Sequence, residues 1–363
     1  MISFKVWIKG NNKDQLIYVM IILTLCFSSA ALFAGENSFP SLKSPSGVFR
    51  IVFYNVENLF DTVNEPDRND DAFTPSGERR WNSYRLDNKL NNLYKALAAA
   101  GGWRLPSVIG LCEVENKYVL EKLVNETGFA GAGFEIIHRN SADSRGIDVA
   151  VLYRSDDFVV LDTLFKVIRF PFDSLATTRD ILYVKGIAGA KDTVHFFVNH
   201  WTSRWGGQAA TEPYRNYTAS VLRSLADSVF RINPRASIII MGDFNDEPED
   251  ISLRLYLGAR FDYDQSVPGK LYNLSHSKKG KVSGTLKFQG EWFLFDQFIV
   301  SGSLMDGRGG LKTCPLSAKI FSADFLLTTD NIWFGYKPFR TYEGFRHTGG
   351  FSDHLPVILD LWW

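Results

Sequence analysis

The segment SIIIMGDFNDEPED sets a carboxylate, Asp243, and a carboxamide, Asn245, just after an apolar run and a glycine. On an extended chain, residues two apart share a face. A carboxylate that accepts a proton from water would then stand beside an amide that aims that water, a pairing suited to hydrolysis. Gly242 reads as the residue that lets the backbone turn tightly. Asp246, Glu247, Glu249 and Asp250 read as the start of a helix, where negative charge meets the positive end of the helix dipole.

Five more apolar runs end in polar clusters. In IVFYNVENLFD, Asn55 and Glu57 are two apart and offer oxygen donors for a hard metal ion; the alternative is a strand-end turn with a solvated glutamate. In VIGLCEVEN, Glu113 follows a run that reads as buried, where an unpartnered carboxylate is costly and a divalent cation would serve as partner. Glu115 reads as a surface or helix-starting acid. In SRGIDVAVLYR, Arg145 and Asp148 form either a structural ion pair or a phosphate contact. In VHFFVNHWTSR, His200 closes a strand, and His195 within that strand reads as structural. In FSDHLPV, Asp353 and His354 precede the last strand, and Asp296 of FDQFIV is free to orient an imidazole and raise its basicity. Each cluster is ordinary alone; six in this order are not.

The elements that must position these residues are short runs rich in Val, Ile, Phe and Tyr. Strands are expected over residues 49–55, 108–111, 134–137, 149–153, 181–187, 194–198, 238–241, 298–300 and 357–361. Leu86, Leu90, Leu93 and Leu97 recur at helical spacing until Gly101 and Gly102 stop them. A second amphipathic stretch covers 209–230, with Val221, Leu222, Leu225 and Val229 on one side. Strands with and without intervening helices predict a mixed-sheet α/β sandwich in one domain. The aromatic, glycine-rich region 302–348 reads as irregular loops around a site.

Lys+Arg and Asp+Glu are balanced at 40 each, so no global positive charge marks nucleic-acid binding, though a groove needs only local charge. Residues 1–34 begin with Lys5, Lys9 and Lys13, continue through an apolar run over 16–27, and end in small residues. That is the plan of a secretory signal peptide, with a retained membrane anchor through 16–34 as the alternative. Residues 35–47 read as a leader and 48–363 as a single catalytic domain. Export would remove three lysines, Asp14 and Cys26, leaving about −2 formal charges and the two cysteines Cys112 and Cys314. Two cysteines are no disulfide framework, and their pairing stays open.

GDFN and SDHLPV, with the other clusters in order, resemble the endonuclease/exonuclease/phosphatase superfamily from about residue 49 to 363. The resemblance implies a four-layered α/β sandwich of two packed mixed β-sheets flanked by helices. It implies metal binding by Asn55, Glu57, Glu113 and Asp353, with Glu113 the principal ligand. It further implies a phosphate contact from His200, water activation by Asp243 and Asn245, and an Asp296–His354 dyad. Mg²⁺, Mn²⁺ or Ca²⁺ suits such oxygen donors. Arg145, Asp148 and Arg204 are expected to contact substrate, and Arg79, Arg80 and Arg85 with Trp81, Trp201 and Trp205 to line a groove, with core packing as the alternative for the tryptophans. The expected activity is hydrolysis of a phosphodiester, DNA or RNA foremost, in an exported enzyme with no protein partner. The alternatives are a sphingomyelinase-like or small-molecule phosphatase activity, or a non-catalytic binder on the same scaffold. A lipid-directed enzyme would carry an exposed apolar hairpin, for which 302–348 is the candidate region.

Overall fold

Alternation along the first strand sets up the whole architecture. In β1 (Val48–Leu59), Phe49, Ile51 and Phe53 pack in one hydrophobic cluster, whereas Val52, Tyr54 and Val56 pack in another. A strand with apolar residues on both faces must be covered on both faces, and here one cover is helical and the other a second sheet. The computed structural model describes residues 47–189, 191–275, 282–308 and 310–363. The expected signal segment, and the leader apart from Gly47, lie outside them.

The first sheet contains β1 with β2 (Val108–Val114), β3 (Phe134–His138), β4 (Asp148–Arg154), β12 (Ala318–Ile320) and β13 (Val357–Trp362), in the order β12-β13-β1-β2-β4-β3. The second contains β5 (Phe158–Lys166), β6 (Ile181–Ala188), β7 (Asp192–His200), β8 (Ser237–Asp243), β9 (Ala259–Arg260), β10 (Leu271–Asn273) and β11 (Asp296–Ser301), in the order β5-β6-β7-β8-β11-β10-β9. Both are mixed, because β1–β2 and β7–β8 pair in parallel while β1–β13 and β8–β11 pair antiparallel. All nine expected strands are present.

The inter-sheet core joins Ile51, Phe53 and Val151 of the first sheet to Val184, Phe196, Met241 and Phe298 of the second. Gly110 of β2 permits the close approach: a Cβ there would lie 2.9 Å from the Met241 side chain. The leucines Leu86, Leu90, Leu93 and Leu97 belong to α1 (Ser83–Gly101), which, with α2 (Lys117–Asn125), covers the outer face of the first sheet. The Asn82 side chain caps α1 by accepting from Arg85 N at 3.1 Å, and Gly102 ends it at φ 73°. Ala219, Leu222, Ala226 and Phe230 of α3 (Gln208–Ile232) cover the second sheet. The result is the expected four-layered sandwich, and residues Gly47–Trp363 form one compact unit. Among the described residues, no helix is long and apolar enough to cross a membrane.

The 302–348 region forms short two-stranded ribbons and 3₁₀ turns. The acids after Asp243 do not open an ordinary helix. Asp246 takes Arg204, Arg215 and Ser252 as partners, Glu247 accepts from Leu294 N, and only a single π-type turn, Ser252–Leu257, follows. Cys112 and Cys314 are both free thiols.

Candidate active site

The parallel pairs carry the site residues to one edge of the sandwich. The regular parallel pairing of β1 with β2 runs to Asn55 opposite Cys112, with Glu113 next, while β7 and β8 end side by side with His200 opposite Asp243. β11 runs the other way, so its first residue, Asp296, lies opposite Asp243. Gly242 sits in the strand rather than in a turn. A Cβ there would fall 2.5 Å from the Asn199 carbonyl oxygen, so the glycine permits close strand packing just before Asp243. The chain then leaves the strands under strain: Glu57, Asn58, Glu113 and Asn245 have φ of 51°, 54°, 64° and 50°. Non-glycine residues held there cost roughly 1–3 kcal/mol each, and such strain gathers at functional sites.

Asp243 is the hub. Its Oδ2 accepts from Asn55 Nδ2 at 3.0 Å and faces His200 Nε2 at 3.7 Å and His354 Nε2 at 3.8 Å. The last two separations exceed hydrogen-bond length, so neither imidazole is hydrogen-bonded to this carboxylate oxygen. Its Oδ1 accepts from Asn245 N at 2.9 Å. Burial pushes the Asp243 carboxyl up, His354 pulls it back and Asp296 adds to the rise, leaving it at about 7. His354 Nδ1 is 2.6 Å from Asp296 Oδ2. Burial opposes charge on His354, but Asp296 and Asp243 hold its pKa well above the ordinary imidazole value. His200 is the reverse case: burial, then Arg179, Arg145 and His354, keep it well below, hence neutral.

Several expected residues stand elsewhere than the sequence implied. Asn55 Oδ1 accepts from Glu57 N at 3.0 Å, which leaves one of its two acceptor positions. A peptide N–H needs an acceptor, which fixes the amide orientation, and Nδ2 ties Asp243 to Glu113 Oε1 at 3.3 Å. Glu57 does not share its direction, since β1 shifts register between Asn55 and Leu59. Both Glu57 oxygens are taken, by Arg340 Nε at 3.4 Å and Thr341 N at 2.6 Å. Asp148 pairs with Ser141 N at 2.8 Å and His138 Nε2 at 3.4 Å, and Arg145 pairs with Asp143 instead. Arg204 is spent on Asn245 O, Asp246, Asp250 and the Phe295 ring. Trp81 and Trp201 are buried core; Trp205 is exposed. Arg145 remains part-exposed on the His200 side. Asn245 donates its Nδ2 to Trp201 O at 3.1 Å, so its carbonyl end alone is free of a protein partner among the described residues.

Glu113 and Asp353 also keep oxygen acceptor capacity for a cation. Glu113 accepts from Asn58 N at 2.9 Å and from Asn55, which fixes its carboxylate while leaving acceptor capacity. Asp353 uses Oδ2 on Arg340 Nη2 at 3.0 Å and has Oδ1 to offer. Cys112 Sγ lies within 4.8 Å of ligand atoms of His200 and Asp243, but burial raises its thiol well above the usual value, so it stays protonated. The donor set therefore fits a hard divalent ion on oxygen and not a thiophilic one.

Three further residues hold this arrangement. Arg179 donates to the carbonyls of His200 and Trp201 and pairs with Asp143 at 3.0 Å. Ser352 donates to Asn55 O at 2.7 Å and accepts from His354 N at 3.1 Å. Lys89, fully buried and lowered by burial to about 8, donates to Thr341 Oγ1 and Phe351 O at 2.6 Å each.

The sequence profile of the endonuclease/exonuclease/phosphatase family matches residues 50–362. The chain belongs to that family. It is a divalent-metal-dependent hydrolase of phosphoric esters. Among solved structures, truncated TDP2 of Caenorhabditis elegans is similar at 14% identity and TM-score 0.51, covering 87% of this chain and 98% of its own. A mannosyl-6-phosphatase of Bacteroides thetaiotaomicron is similar at 15% identity and TM-score 0.53, covering 87% and 100%. TDP2 of D. rerio, complexed with a single-strand DNA product, is similar at 14% identity and TM-score 0.51, covering 86% and 98%. At these identities the likeness shows the shared fold. No curated protein sequence matches the chain.

Proposed function

We propose that this family member is an exported phosphodiesterase that cleaves nucleic-acid strands, with Mg²⁺ or Mn²⁺ held by Glu113 and Asp353. The observation that carries the chemistry is Asp243 Oδ2 facing both His200 and His354 across 3.7 and 3.8 Å while Asn55 holds it from behind. A divalent cation bound at the carboxylates would neutralise phosphate charge and stabilise the leaving oxygen. Asp243, with its carboxyl near neutrality, takes a proton from the water that attacks phosphorus, and the Asn245 carbonyl orients that water. The charged His354 and the neutral His200 donate to phosphoryl oxygens, stabilising charge that grows as the new P–O bond forms and the ester bond breaks.

Substrate choice rests on the flank of the site. Arg79, Arg80, Arg85 and Arg346 have no carboxylate within salt-bridge reach among the described residues, which suits a polyanion. The D. rerio neighbour's DNA product agrees with this reading. A second reading, hydrolysis of a phospholipid headgroup, is favoured by the ribbon Leu327–Thr329/Tyr336–Pro338, whose tip exposes Ile332, Trp333 and Phe334 at 73%, 54% and 80%. Export is supported by the charged-then-apolar pattern of residues 1–34. Incubation with plasmid DNA, RNA, sphingomyelin and bis(p-nitrophenyl) phosphate, each with Mg²⁺ or chelator, tests the proposal. Metal-dependent strand cleavage is expected; cleavage of sphingomyelin alone would replace it with the second reading.

A further inference from the structure

Beside the reaction site lies a cavity of about 260 Å³ whose walls include Asn58, Phe73, Arg79, Arg340, Thr341 and Tyr342. It adjoins the site on two sides. Asn58 N holds the Glu113 carboxylate, and Arg340 Nη2 holds Asp353, the residue next to His354. The cavity opens past Arg79 into a broader depression carrying Arg80, Arg85 and Arg346.

Arg79 is built in an unusual way. Its guanidinium lies 5.0 Å from the Phe73 ring centroid, 4.8 Å from Tyr342 and 5.9 Å from Phe345. Its one hydrogen bond is to Gly344 O at 3.1 Å, and it has no carboxylate partner among the described residues. Three rings thus hold a charged fork in place without consuming its donors, the arrangement that bidentate phosphate recognition requires. Asn58 and Thr341 add side-chain donors with no acceptor of their own among the described residues. The acid in the wall, Glu57, is already neutralised by Arg340 and Thr341 N. Among the side chains that line the cavity and depression, Arg79, Arg80, Arg85, Arg340 and Arg346 outnumber the acids Glu57 and Glu78, so the local field favours an anion.

We propose that this cavity is a binding subsite for a second phosphate, the one next to the phosphodiester being cleaved. The enzyme then selects chains of consecutive phosphodiesters over isolated phosphoesters. This inference rests on the nucleic-acid reading of the reaction site and names what that site measures in its substrate.

The test compares kcat/KM for the dinucleotide TpT, for the same dinucleotide carrying a 5′-phosphate, and for bis(p-nitrophenyl) phosphate. Affinity for a fluorescein-labelled dT octamer in chelator is measured alongside. Wild type should prefer the two-phosphate substrate over TpT by roughly tenfold or more, the scale of one charge-assisted hydrogen-bond pair. Arg79→Met keeps the apolar stem against Phe73 and Tyr342 and should erase most of that preference and weaken octamer binding by a similar factor. Arg79→Lys should restore part of both. Arg346→Gln, on the exposed rim, repeats the measurement without disturbing packing. A wild-type enzyme indifferent to the second phosphate, or a preference that survives in both Arg79→Met and Arg346→Gln, overturns the subsite. An enzyme that binds the octamer through Arg79 but cleaves no nucleic acid would sink the proposed function and leave the subsite standing. One that does not bind the octamer sinks the subsite.

Discussion

Asn55 and Asp243 lie 188 residues apart in different sheets, yet Asn55 Nδ2 donates to Asp243 Oδ2 at 3.0 Å. The same nitrogen reaches Glu113 Oε1 at 3.3 Å, so one amide fixes both the proposed base and the proposed metal ligand. Removing the donor withdraws a hydrogen bond that favours the ionised form of Asp243, and its pKa should rise further. We expect Asn55→Ala to lower kcat/KM by about 10²-fold, in the range of one positioned catalytic group, and to shift the acid limb of the pH profile to higher pH. An unmoved limb would show that Asn55 does not tune Asp243.

A base that titrates at about 7 dictates the pH dependence of the wild-type enzyme. Asp243 must be ionised to accept a proton, so kcat/KM should fall as pH drops below about 7. Loss should approach tenfold per unit once the protonated form dominates. His354, raised by Asp296 and Asp243, supplies the alkaline limb. Asp296→Asn removes its counter-charge and should bring that limb to lower pH, with a loss of ~10²–10⁴ in kcat. A profile identical to wild type in Asp296→Asn would remove His354 as the charged partner.

Chelation should abolish hydrolysis, and Mg²⁺ or Mn²⁺ should restore it. In Glu113→Gln the concentration of Mg²⁺ giving half-maximal rate should increase by an order of magnitude or more, since one anionic donor is lost from a site built on few. Glu57→Gln should leave that concentration almost unchanged, because both Glu57 oxygens serve Arg340 and Thr341 N. Equal shifts in the two variants would return Glu57 to the metal site.

Arg204 offers a contrast between binding and structure. It is tied to Asp246 at 3.0 Å and to Asp250, and only 19% of its side chain is exposed. Arg204→Met leaves two acids without their cation, which should cost about 2 kcal/mol, short of the ~3–5 kcal/mol of a fully buried pair. A lower melting temperature with little change in KM is the expected outcome. A raised KM at normal stability would mean that Arg204 contacts substrate after all.

The residues legible from sequence were those that flank regular strands. Glu113, His200 and Asp243 were visible because a polar residue after an apolar run is anomalous, and strand period two locates it; His354 was visible by its place in SDHLPV, just before β13. Their convergence follows from β1–β2 and β7–β8 pairing in parallel. Asn55 and Glu57 do not share a face as expected, because the same period was extended past Asn55, where the register shifts and φ turns positive. Arg179 and Arg340 act from irregular segments, where no period operates and only tertiary contacts reveal them. Lys89 did leave a signal: it sits beside Leu86, Leu90 and Leu93, a charge on the buried face of α1. Such a lysine needs partners, and the 302–348 loops and the segment after them supply them through Thr341 and Phe351.

Glu115 gives a test of the fold that does not involve the reaction. Expected at the surface or at a helix start, it stands just before Asn116, the cap of α2, but is only 3% exposed and accepts from Asp61 N at 2.6 Å and Asn116 Nδ2 at 3.1 Å. Burial raises its pKa from 4.5 to about 8, against the pull of the Asp61 N–H. The folded state therefore binds a proton that the unfolded state has released between pH 4.5 and 8, and stability falls as pH rises through that window. Glutamine keeps the acceptor oxygen and removes the charge. Glu115→Gln should thus stabilise the protein by at least ~1 kcal/mol at pH 8, the scale of a single pKa unit, and the gain should vanish near pH 4.5. Thermal melts of both proteins across that range decide the point. A gain independent of pH would mean that packing, and not the buried charge, separates them.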